Sequence, residues 1–156
     1  MSLKTSIILC TYNEANYIKQ TIIELEKNIP DLELIIVDDN STDDTKKILN
    51  QLNHDKRLKI IYRNKSKGLA SAFLRGIIET KGNHIGWIDT NMSEVVPKFK
   101  EMSNILNSNS DIAILSRYVE GGGDKRNLLR VICSKYFNLL CRLLLRPPIK
   151  DFTTSI

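Results

Sequence analysis

The feature that most constrains this fold is the alternation of short apolar runs with segments of helical periodicity. Each run has four or five residues, is rich in Ile, Leu and Val, and is bounded by turn-forming residues, as buried parallel strands are. Such alternation predicts an α/β fold whose mainly parallel sheet has right-handed crossovers and helices on both faces. The predicted strands are residues 6–10, 34–37, 58–62, 84–88 and 112–115.

Between the strands, apolar residues recur at steps of three and four, which places them on one face of a helix. A fourth helix is expected to begin near Pro97, because proline is favoured in the first helical turn. The four stripes are Ile18, Ile22, Leu25 and Ile29; Thr45, Ile48, Leu49 and Leu52; Leu69, Phe73 and Ile77; and Phe99, Met102 and Leu106.

Length and composition fit one compact domain with a buried core, since 42% of the 156 residues are hydrophobic and 26% are charged. The cysteines Cys10, Cys133 and Cys141 lack metal-ligand spacing, and their odd number argues against a disulfide framework. We therefore expect reduced thiols. The first residues lack the pattern of a signal peptide, which favours a cytoplasmic location.

In open sheets of parallel strands, ligands bind beyond the carboxyl ends of the strands, so the loops there are the expected place for chemistry. The first loop contains Thr-Tyr-Asn-Glu at residues 11–14, and the second begins with Asp38 and Asp39. Ionised Asp is purely an acceptor, so two adjacent carboxylates suit a ligand with several donors, such as a ribose and a base. A helix capping box would explain Ser41 and Asp44, but it leaves the two aspartates unexplained.

The third loop, residues 63–70, places three cations just before a predicted helix. The first turn of a helix has free N–H groups and favours anions, so Lys67 and Gly68 could approach a diphosphate closely. A solvated, lysine-rich surface loop explains the same charges.

Together these motifs resemble the opening of family 2 glycosyltransferases, which have the GT-A fold. The matching features are the Thr-Tyr-Asn-Glu loop, the following Val37-Asp38-Asp39, and the Lys-Gly-Leu of the third loop. Asn40 and Asp44 stand where the family usually has glycine, and these residue types tolerate left-handed turns best. The nucleotide-sugar-binding residues that the resemblance implies are Thr11, Tyr12, Glu14, Asp38, Asp39, Lys67, Gly68 and Asp89.

The fourth loop, residues 87–93, occupies the position of the family's Asp-x-Asp motif, which holds Mg²⁺ or Mn²⁺. The sequence keeps Asp89 but has Asn91 in place of the second carboxylate. An amide oxygen can ligate a hard cation but brings no charge, so we expect a weakened metal site at Asp89 and Asn91. The ion would neutralise charge on the leaving nucleotide diphosphate.

Ser116-Arg117-Tyr118 and the glycines at 121–123 resemble the corresponding segment of dolichol-phosphate mannose synthases. The resemblance implies that Asp89 and Arg117 are catalytic, and that Arg117, Arg126 and Arg130 hold the phosphate of the acceptor. A surface arginine followed by a flexible loop is the alternative. Residues 150–156 are similar to the start of the family's Asp-x-Thr-Ser-Gly-Phe-Arg segment.

The excess positive charge is confined to one stretch. Residues 1–116 hold 15 basic and 15 acidic side chains, whereas residues 117–150 hold 8 basic and 2 acidic ones, a net +6. This favours a local anionic partner, such as phosphates or a membrane surface, and we expect no nucleic-acid partner. Residues 127–146 predict a helix with a wide apolar face and a basic rim, which suits either the membrane interface or packing against the domain.

In the polyprenyl-phosphate members of the family, this region lies beside the acceptor and the membrane. The resemblance therefore implies transfer of a hexose, with mannose favoured, from GDP-mannose or UDP-glucose to a polyprenyl or dolichyl phosphate, with inversion. We expect a single GT-A-like domain, with a nucleotide-sugar-binding core at 1–116 and an acceptor and membrane-side segment at 117–156, peripheral on the cytoplasmic face of a membrane. The alternative is a truncated or degenerate module of the same fold that binds nucleotide or membrane without catalysis.

Overall fold

A four-stranded parallel sheet forms the core of the computed structural model, which describes residues 5–52, 56–64, 68–108, 110–120, 122–124, 126–146, 149 and 151–153. The strand order is β3-β2-β1-β4, so the first two strands are central. The first four predicted strands are confirmed. They are β1 (Thr5–Thr11), β2 (Leu32–Asp38), β3 (Leu58–Tyr62) and β4 (His84–Trp87).

The two central strands are buried on both faces. Ile7, Ile8 and Leu9 of β1 are consecutive and fully buried, as are the three residues 35–37 of β2. Because successive strand residues point to opposite faces, consecutive burial means that both faces are covered, as predicted.

The register brings the strand ends together. Thr11 lies opposite Asp38, and Asp38 lies opposite Tyr62, so β1, β2 and β3 end at the same level. Trp87 at the end of β4 lies opposite Ile8, so the residues that follow β4 continue beside the last residues of β1. The loops after all four strands therefore start at one edge of the sheet.

Helices follow the strands as the apolar stripes predicted. The first three are α1 (Ile18–Asn28), α2 (Thr45–Leu52) and α3 (Leu69–Ile77). A short 3₁₀ helix, Ser93–Lys98, contains Pro97 and leads into α4 (Phe99–Asn107). Pro97 thus lies in the turn that precedes α4.

Helix α3 packs tightly onto the sheet. A Cβ atom added at Gly76 would lie 2.6 Å from the Ile8 Cγ2 atom, so a side chain there would push the helix off β1. Phe73 of α3 also contacts Trp87 of β4 edge to face, with ring centroids 4.5 Å apart. These contacts fix α3 against β1 and β4.

The fifth predicted strand is wrong, because residues 112–116 form no strand. A short apolar run becomes a strand only when a neighbouring strand pairs with it, and apolar content alone does not supply that neighbour. The chain divides into two compact units, Met1–Asp111 and Ile112–Ile156, and this run opens the second unit. The sequence placed the division after residue 116.

The second unit contains the predicted basic helix as α5 (Leu128–Leu145). The Asn127 side chain accepts from the Leu129 N–H at 3.0 Å and caps the first turn. Ser134 and Asn138, on the polar side, are 7% and 1% exposed, whereas the large apolar side chains are exposed. Within the second unit, the helix therefore packs with its polar side inward. No helix in the described ranges is long and apolar enough to span a membrane.

Candidate functional site

Loops at the carboxyl ends of the strands surround a pocket of about 540 Å³ in the first unit. A volume of this size is typical of small-molecule sites. The first two loops contribute Thr11, Tyr12, Glu14 and Asp39 to its lining, and the later two contribute Gly68, Asp89 and Asn91. Seven of the predicted binding and metal residues are thus brought together, while Lys67 lies outside the described residues.

The adjacent aspartates Asp38 and Asp39 have different environments. Asp38 is fully buried, and its carboxylate accepts from the Ser41 N–H at 3.0 Å and from the Ser41 hydroxyl. It does not line the pocket. Asp39 does, and its carboxylate holds Arg63 Nε at 2.5 Å and the Gly68 N–H at 2.7 Å.

The capping-box prediction is wrong for Ser41. Its hydroxyl donates to Asp38 and accepts from the Asn13 N–H at 2.9 Å, so it is engaged within the loops. The Asp43 carboxylate instead accepts from the Thr45 N–H, the first residue of α2, at 3.0 Å.

One of the two positions where the family usually has glycine takes a left-handed conformation. Asn40 has a φ of 63°, which explains why a residue type that tolerates positive φ stands there. Asp44 is not among the described residues with positive φ. The backbone conformation of Asp44 therefore does not require glycine.

The side chain of Thr11 is a buried polar group at the pocket. Thr11 is 3% exposed, lines the pocket, and its Oγ1 atom has no hydrogen-bond partner among the described residues. A buried hydroxyl without a partner costs free energy unless a ligand or water completes it. The hydrogen bonding of this pocket residue is therefore incomplete among the described residues.

Asp89 and Asn91 lie on the same loop, two residues apart, and both line the pocket. The Thr90 carbonyl between them accepts from the buried Thr21 hydroxyl at 2.5 Å, which ties this loop to α1. No cluster of three or more His, Cys, Asp or Glu side chains occurs in the part of the chain that the structure describes. One carboxylate and one amide still fit Mg²⁺ or Mn²⁺, because such ions commonly take their remaining ligands from phosphates and water.

Cys10 also lines the pocket, although the sequence did not predict it. Burial first, and then the charge of the nearby Asp39 carboxylate, raise the pKa of the Cys10 thiol to about 11. The thiol is therefore protonated at neutral pH and acts as a small apolar lining group. All three cysteines are free, as predicted.

The second unit has its own buried polar network around Arg117. The Arg117 guanidinium donates to both oxygens of Asp151, each at 2.8 Å, and to Thr153 Oγ1 at 2.5 Å. Asn138 of α5 donates to Asp151 and accepts from the Phe152 N–H at 2.6 Å. Burial acts to raise the pKa of Asp151, but the hydrogen bonds from Arg117 and Thr153 outweigh it and hold that pKa well below its ordinary range.

The three arginines predicted to hold the acceptor phosphate differ in their surroundings. The Arg126 guanidinium donates twice to Asp124, at 2.7 and 2.8 Å, and once to Ser134 at 2.9 Å. Arg117 Nη1 lies 4.0 Å from the same Asp124 carboxylate. Arg130 lies on α5 and is exposed. Asp124 therefore lies between Arg117 and Arg126, and their positive charges are largely balanced within the unit.

Comparison with known proteins decides the family. The family model described as glycosyl transferase family 2 matches residues 6–155. This chain belongs to glycosyl transferase family 2. The assignment made from its sequence motifs is confirmed.

Relatives of this family 2 chain include enzymes of polyprenyl-phosphate mannose synthesis. It is 35% identical to a dolichol-phosphate mannosyltransferase of Pyrococcus furiosus, over 99% of this chain and 44% of that protein. It is 28% identical to a polyprenol monophosphomannose synthase of Mycolicibacterium smegmatis, over 97% of this chain and 60% of that protein. The chain thus spans about half the length of the curated relatives it matches.

The fold of the family 2 chain is that of GT-A glycosyltransferases. Its structure matches glucosyl-3-phosphoglycerate synthase from Mycobacterium tuberculosis, solved with Mn²⁺, UDP and phosphoglyceric acid, with a TM-score of 0.68 and 20% sequence identity. The match covers 99% of this chain and 54% of that chain. The predicted fold class is therefore confirmed.

Sequence reasoning missed residues that organise each of the two units of this family 2 chain. Thr21 precedes an apolar stripe residue by one position and gave no signal of its contact with the fourth loop. Asn138 and Ser134 are four residues apart on α5, and this spacing could have indicated a buried polar side of the helix. The Thr21 contact joins residues 69 positions apart, so no local pattern reveals it.

Proposed function

We propose that this chain binds a nucleotide diphosphate sugar in the pocket of the first unit, and that the protein transfers the hexose, mannose favoured, to a polyprenyl phosphate with inversion. The observation that carries the proposal is that Asp39, Asp89 and Asn91, from two different loops, line one pocket together with the start of α3. The names of the two curated relatives support mannose and a polyprenyl acceptor.

The nucleotide sugar would meet groups of three kinds in this pocket. The Thr11 hydroxyl offers a buried hydrogen-bonding atom, and Tyr12, which is 50% exposed, offers an aromatic face for the base. Gly68 and Leu69 place the N-terminus of α3 at the pocket, where its N–H groups favour a diphosphate. Gly68 has a φ of 113°, a conformation that favours glycine.

Asp89 and Asn91 would hold Mg²⁺ or Mn²⁺. When bound, the ion supplies positive charge that stabilises the departing nucleotide diphosphate. Asp89 provides the one formal charge of this pair. Thr21 keeps the peptide between the two ligands in place through the Thr90 carbonyl.

The acceptor phosphate needs no general base, because a lipid phosphate is already an anionic nucleophile. The acceptor instead needs cationic ligands for its phosphate, which suits arginine. Arg117, Arg126 and Arg130 are the proposed phosphate ligands. The Asp124 carboxylate already accepts two hydrogen bonds from the Arg126 guanidinium. A phosphate would therefore have to displace this carboxylate or bind beside it.

The leucine face of α5 supports a peripheral position on a membrane. We propose that the protein lies on the cytoplasmic face of that membrane. Leu128, Leu129, Leu143 and Leu144 are each at least 67% exposed, and Arg130, Lys135 and Arg142 are exposed on the same helix. A wide apolar face with a basic rim is the pattern of helices that lie in the membrane interface.

Calorimetry with GDP and UDP in parallel, with and without Mn²⁺, tests nucleotide binding. We expect one nucleotide to bind and Mn²⁺ to tighten it. A folded chain that binds neither nucleotide would rule the proposal out.

Transfer is tested separately, with labelled GDP-mannose or UDP-glucose and a short polyprenyl phosphate in detergent. Label in the lipid fraction supports the transferase. Nucleotide binding without transfer from either donor favours the non-catalytic module, for which the uncharged Asn91 ligand is the specific motivation.

A further inference from the structure

The loop between β1 and α1 and the loop between β2 and α2 are joined by a row of hydrogen bonds. Three consecutive backbone N–H groups of the first loop donate to side chains of the second loop or of the start of α2. The acceptors do not line the pocket. The bonds run from Asn13 to Ser41 Oγ (2.9 Å), from Glu14 to Thr45 Oγ1 (2.9 Å) and from Ala15 to Asp43 Oδ2 (3.1 Å).

Asn13 is bonded in both directions across this row. Besides its own N–H bond, its side-chain Oδ1 accepts from the Thr42 N–H at 2.7 Å and from the Asp43 N–H at 3.4 Å. Its backbone has a φ of 57°, in the left-handed region. Asn is among the few non-glycine residues that tolerate this region, and its short amide can bond to nearby backbone.

The neighbours of Asn13 in sequence are pocket residues. Tyr12 and Glu14 line the pocket on the side of the first loop, and Asp39 lines it on the side of the second. Asn13 itself does not line the pocket. Its bonds therefore set the distance between pocket groups on two loops without a contact to the ligand.

We infer that Asn13 is a positioning residue for nucleotide binding, acting as a two-way link that holds Tyr12 and Glu14 in register with Asp39. The inference rests on the proposed nucleotide site and adds a residue to it. Residues that hold a binding group in its productive geometry raise affinity by lowering the ordering cost of binding.

Three substitutions separate the two properties of Asn13. Asn13→Asp keeps an acceptor oxygen and tolerance of positive φ. Asn13→Gly keeps only the backbone conformation, and Asn13→Ala keeps neither. The nucleotide affinity is expected to be highest for wild type and Asn13→Asp, lower for Asn13→Gly, and lowest for Asn13→Ala.

The experiment measures the GDP or UDP dissociation constant of the full chain by calorimetry, beside its thermal midpoint. We expect Asn13→Ala to weaken binding by about tenfold and Asn13→Asp to stay within about twofold of wild type. Asn107→Ala, which removes an exposed asparagine at the end of α4, is the matched control and should leave the affinity unchanged. Asn13→Ala and Asn13→Asp are both measured at a temperature at which each is folded. A loss of affinity in Asn13→Ala that is absent in Asn13→Asp then reflects positioning and not a loss of folding.

Hydrogen exchange of the Thr42, Glu14 and Ala15 amides gives a second readout that needs no ligand. These amides should be protected in wild type and should lose protection in Asn13→Ala. Equal nucleotide affinity across the series overturns the positioning role, and unchanged protection overturns the link between the loops. A wild-type chain with protected amides that binds neither nucleotide overturns the proposed function itself, which distinguishes the two failures.

Discussion

Asp39 and Arg63 form an ion pair that is nearly removed from solvent, with Asp39 8% and Arg63 9% exposed. An ion pair in such surroundings leaves an uncompensated charge when one partner is removed. Asp39 also orders the start of α3 through the Gly68 N–H. One carboxylate therefore serves both the stability of the first unit and the shape of the pocket.

Asp39→Asn should lower the free energy of unfolding by about 3–5 kcal/mol, because Arg63 stays buried without its carboxylate. Urea denaturation followed by circular dichroism measures the loss. Glu101→Gln removes an exposed carboxylate paired with Lys98 and should change stability by less than about 1 kcal/mol. A similar effect of both substitutions would contradict the buried-pair account.

The reactivity of Cys10 should depend on pH in a way that reveals its burial. Since burial and the Asp39 charge raise its pKa to about 11, the reactive thiolate is scarce at neutral pH and increases only as the pH approaches that value. Iodoacetamide labelling read by mass spectrometry should modify the exposed Cys133 first at pH 8. Equal rates for the two thiols at this pH would be inconsistent with the raised pKa.

Asn91→Asp should strengthen the metal-dependent part of nucleotide affinity by roughly tenfold, because one more ligating charge is added beside Asp89. Calorimetric titrations with and without Mn²⁺ isolate this part. Asn104→Asp makes the same change on the exposed surface of α4 and serves as the control. No difference between the two variants would argue against Asn91 as a ligand.

The sequence motifs predicted which residues lie at the strand ends. They did not predict orientations and hydrogen bonds that depend on tertiary contacts. Asp39, Asp89 and Asn91 were placed in one pocket because parallel strand ends meet at one edge. Asp38 was grouped with Asp39, although adjacent residues at a strand end point in opposite directions. The role of Ser41 depended on contacts with Asp38 and Asn13, which no local pattern reveals.

At the scale of elements, α5 shows that an apolar stripe need not be the buried side of a helix. Its polar residues Ser134 and Asn138 meet Arg126 and Asp151, and this network sets the rotation of the helix. The helix limits could be predicted from periodicity. Its rotation could not, because the partners Arg126 and Asp151 lie outside the helix.

Acid should destabilise the second unit through Asp151. Its lowered pKa means that folding favours the carboxylate, so this stabilisation is complete above the ordinary Asp value of about 3.9 and is lost as the pH falls below it. Loss of α5 amide signals in NMR spectra between about pH 4 and pH 2 measures this.

Asp151→Asn should reduce the pH dependence and lower the stability of α5 at neutral pH, while Asp124, whose pKa Arg126 holds down, keeps the remaining dependence. Asp111→Asn, at an exposed site, is the control and should leave the acid transition in place. If α5 persists equally at pH 2 in wild type, Asp151 is not the group that stabilises it.

The fifth predicted strand marks the limit of prediction at this scale. Residues 112–115 have the composition of a buried strand, as do residues 34–37, but only the latter have paired neighbours. Strand formation depends on a partner edge, and that partner is a property of the whole sheet. The four confirmed strands all have such partners.

At the scale of the whole molecule, charge and apolar surface are concentrated in the second unit. The net +6 of residues 117–150 falls on the stretch that contains the leucine face of α5. Anionic lipid attracts basic segments, and apolar side chains insert below the headgroups. Electrostatic attraction and apolar insertion would therefore act through the same helix.

Exchange of Leu143 and Leu144 for Glu should weaken binding to vesicles of equal phosphatidylcholine and phosphatidylglycerol by at least tenfold, because each buried leucine contributes about 1.5–3 kcal/mol. Vesicle sedimentation measures the bound fraction, which should also fall with added salt. Leu74→Glu changes a leucine of the first unit that is 61% exposed and should have little effect. Equal binding of all three proteins would contradict the membrane role of α5.

Trp87 gives the chain a built-in optical signal. It is the one tryptophan of the sequence, and it precedes Asp89 by two residues. Its side chain is 43% exposed and contacts Phe73. Indole emission responds to solvent and to nearby charge, so the ultraviolet fluorescence of the entire molecule reports on one place, the base of the fourth loop. Occupancy of the pocket can therefore be followed in real time without a label, and stopped-flow mixing would separate the arrival of an ion from the arrival of a nucleotide.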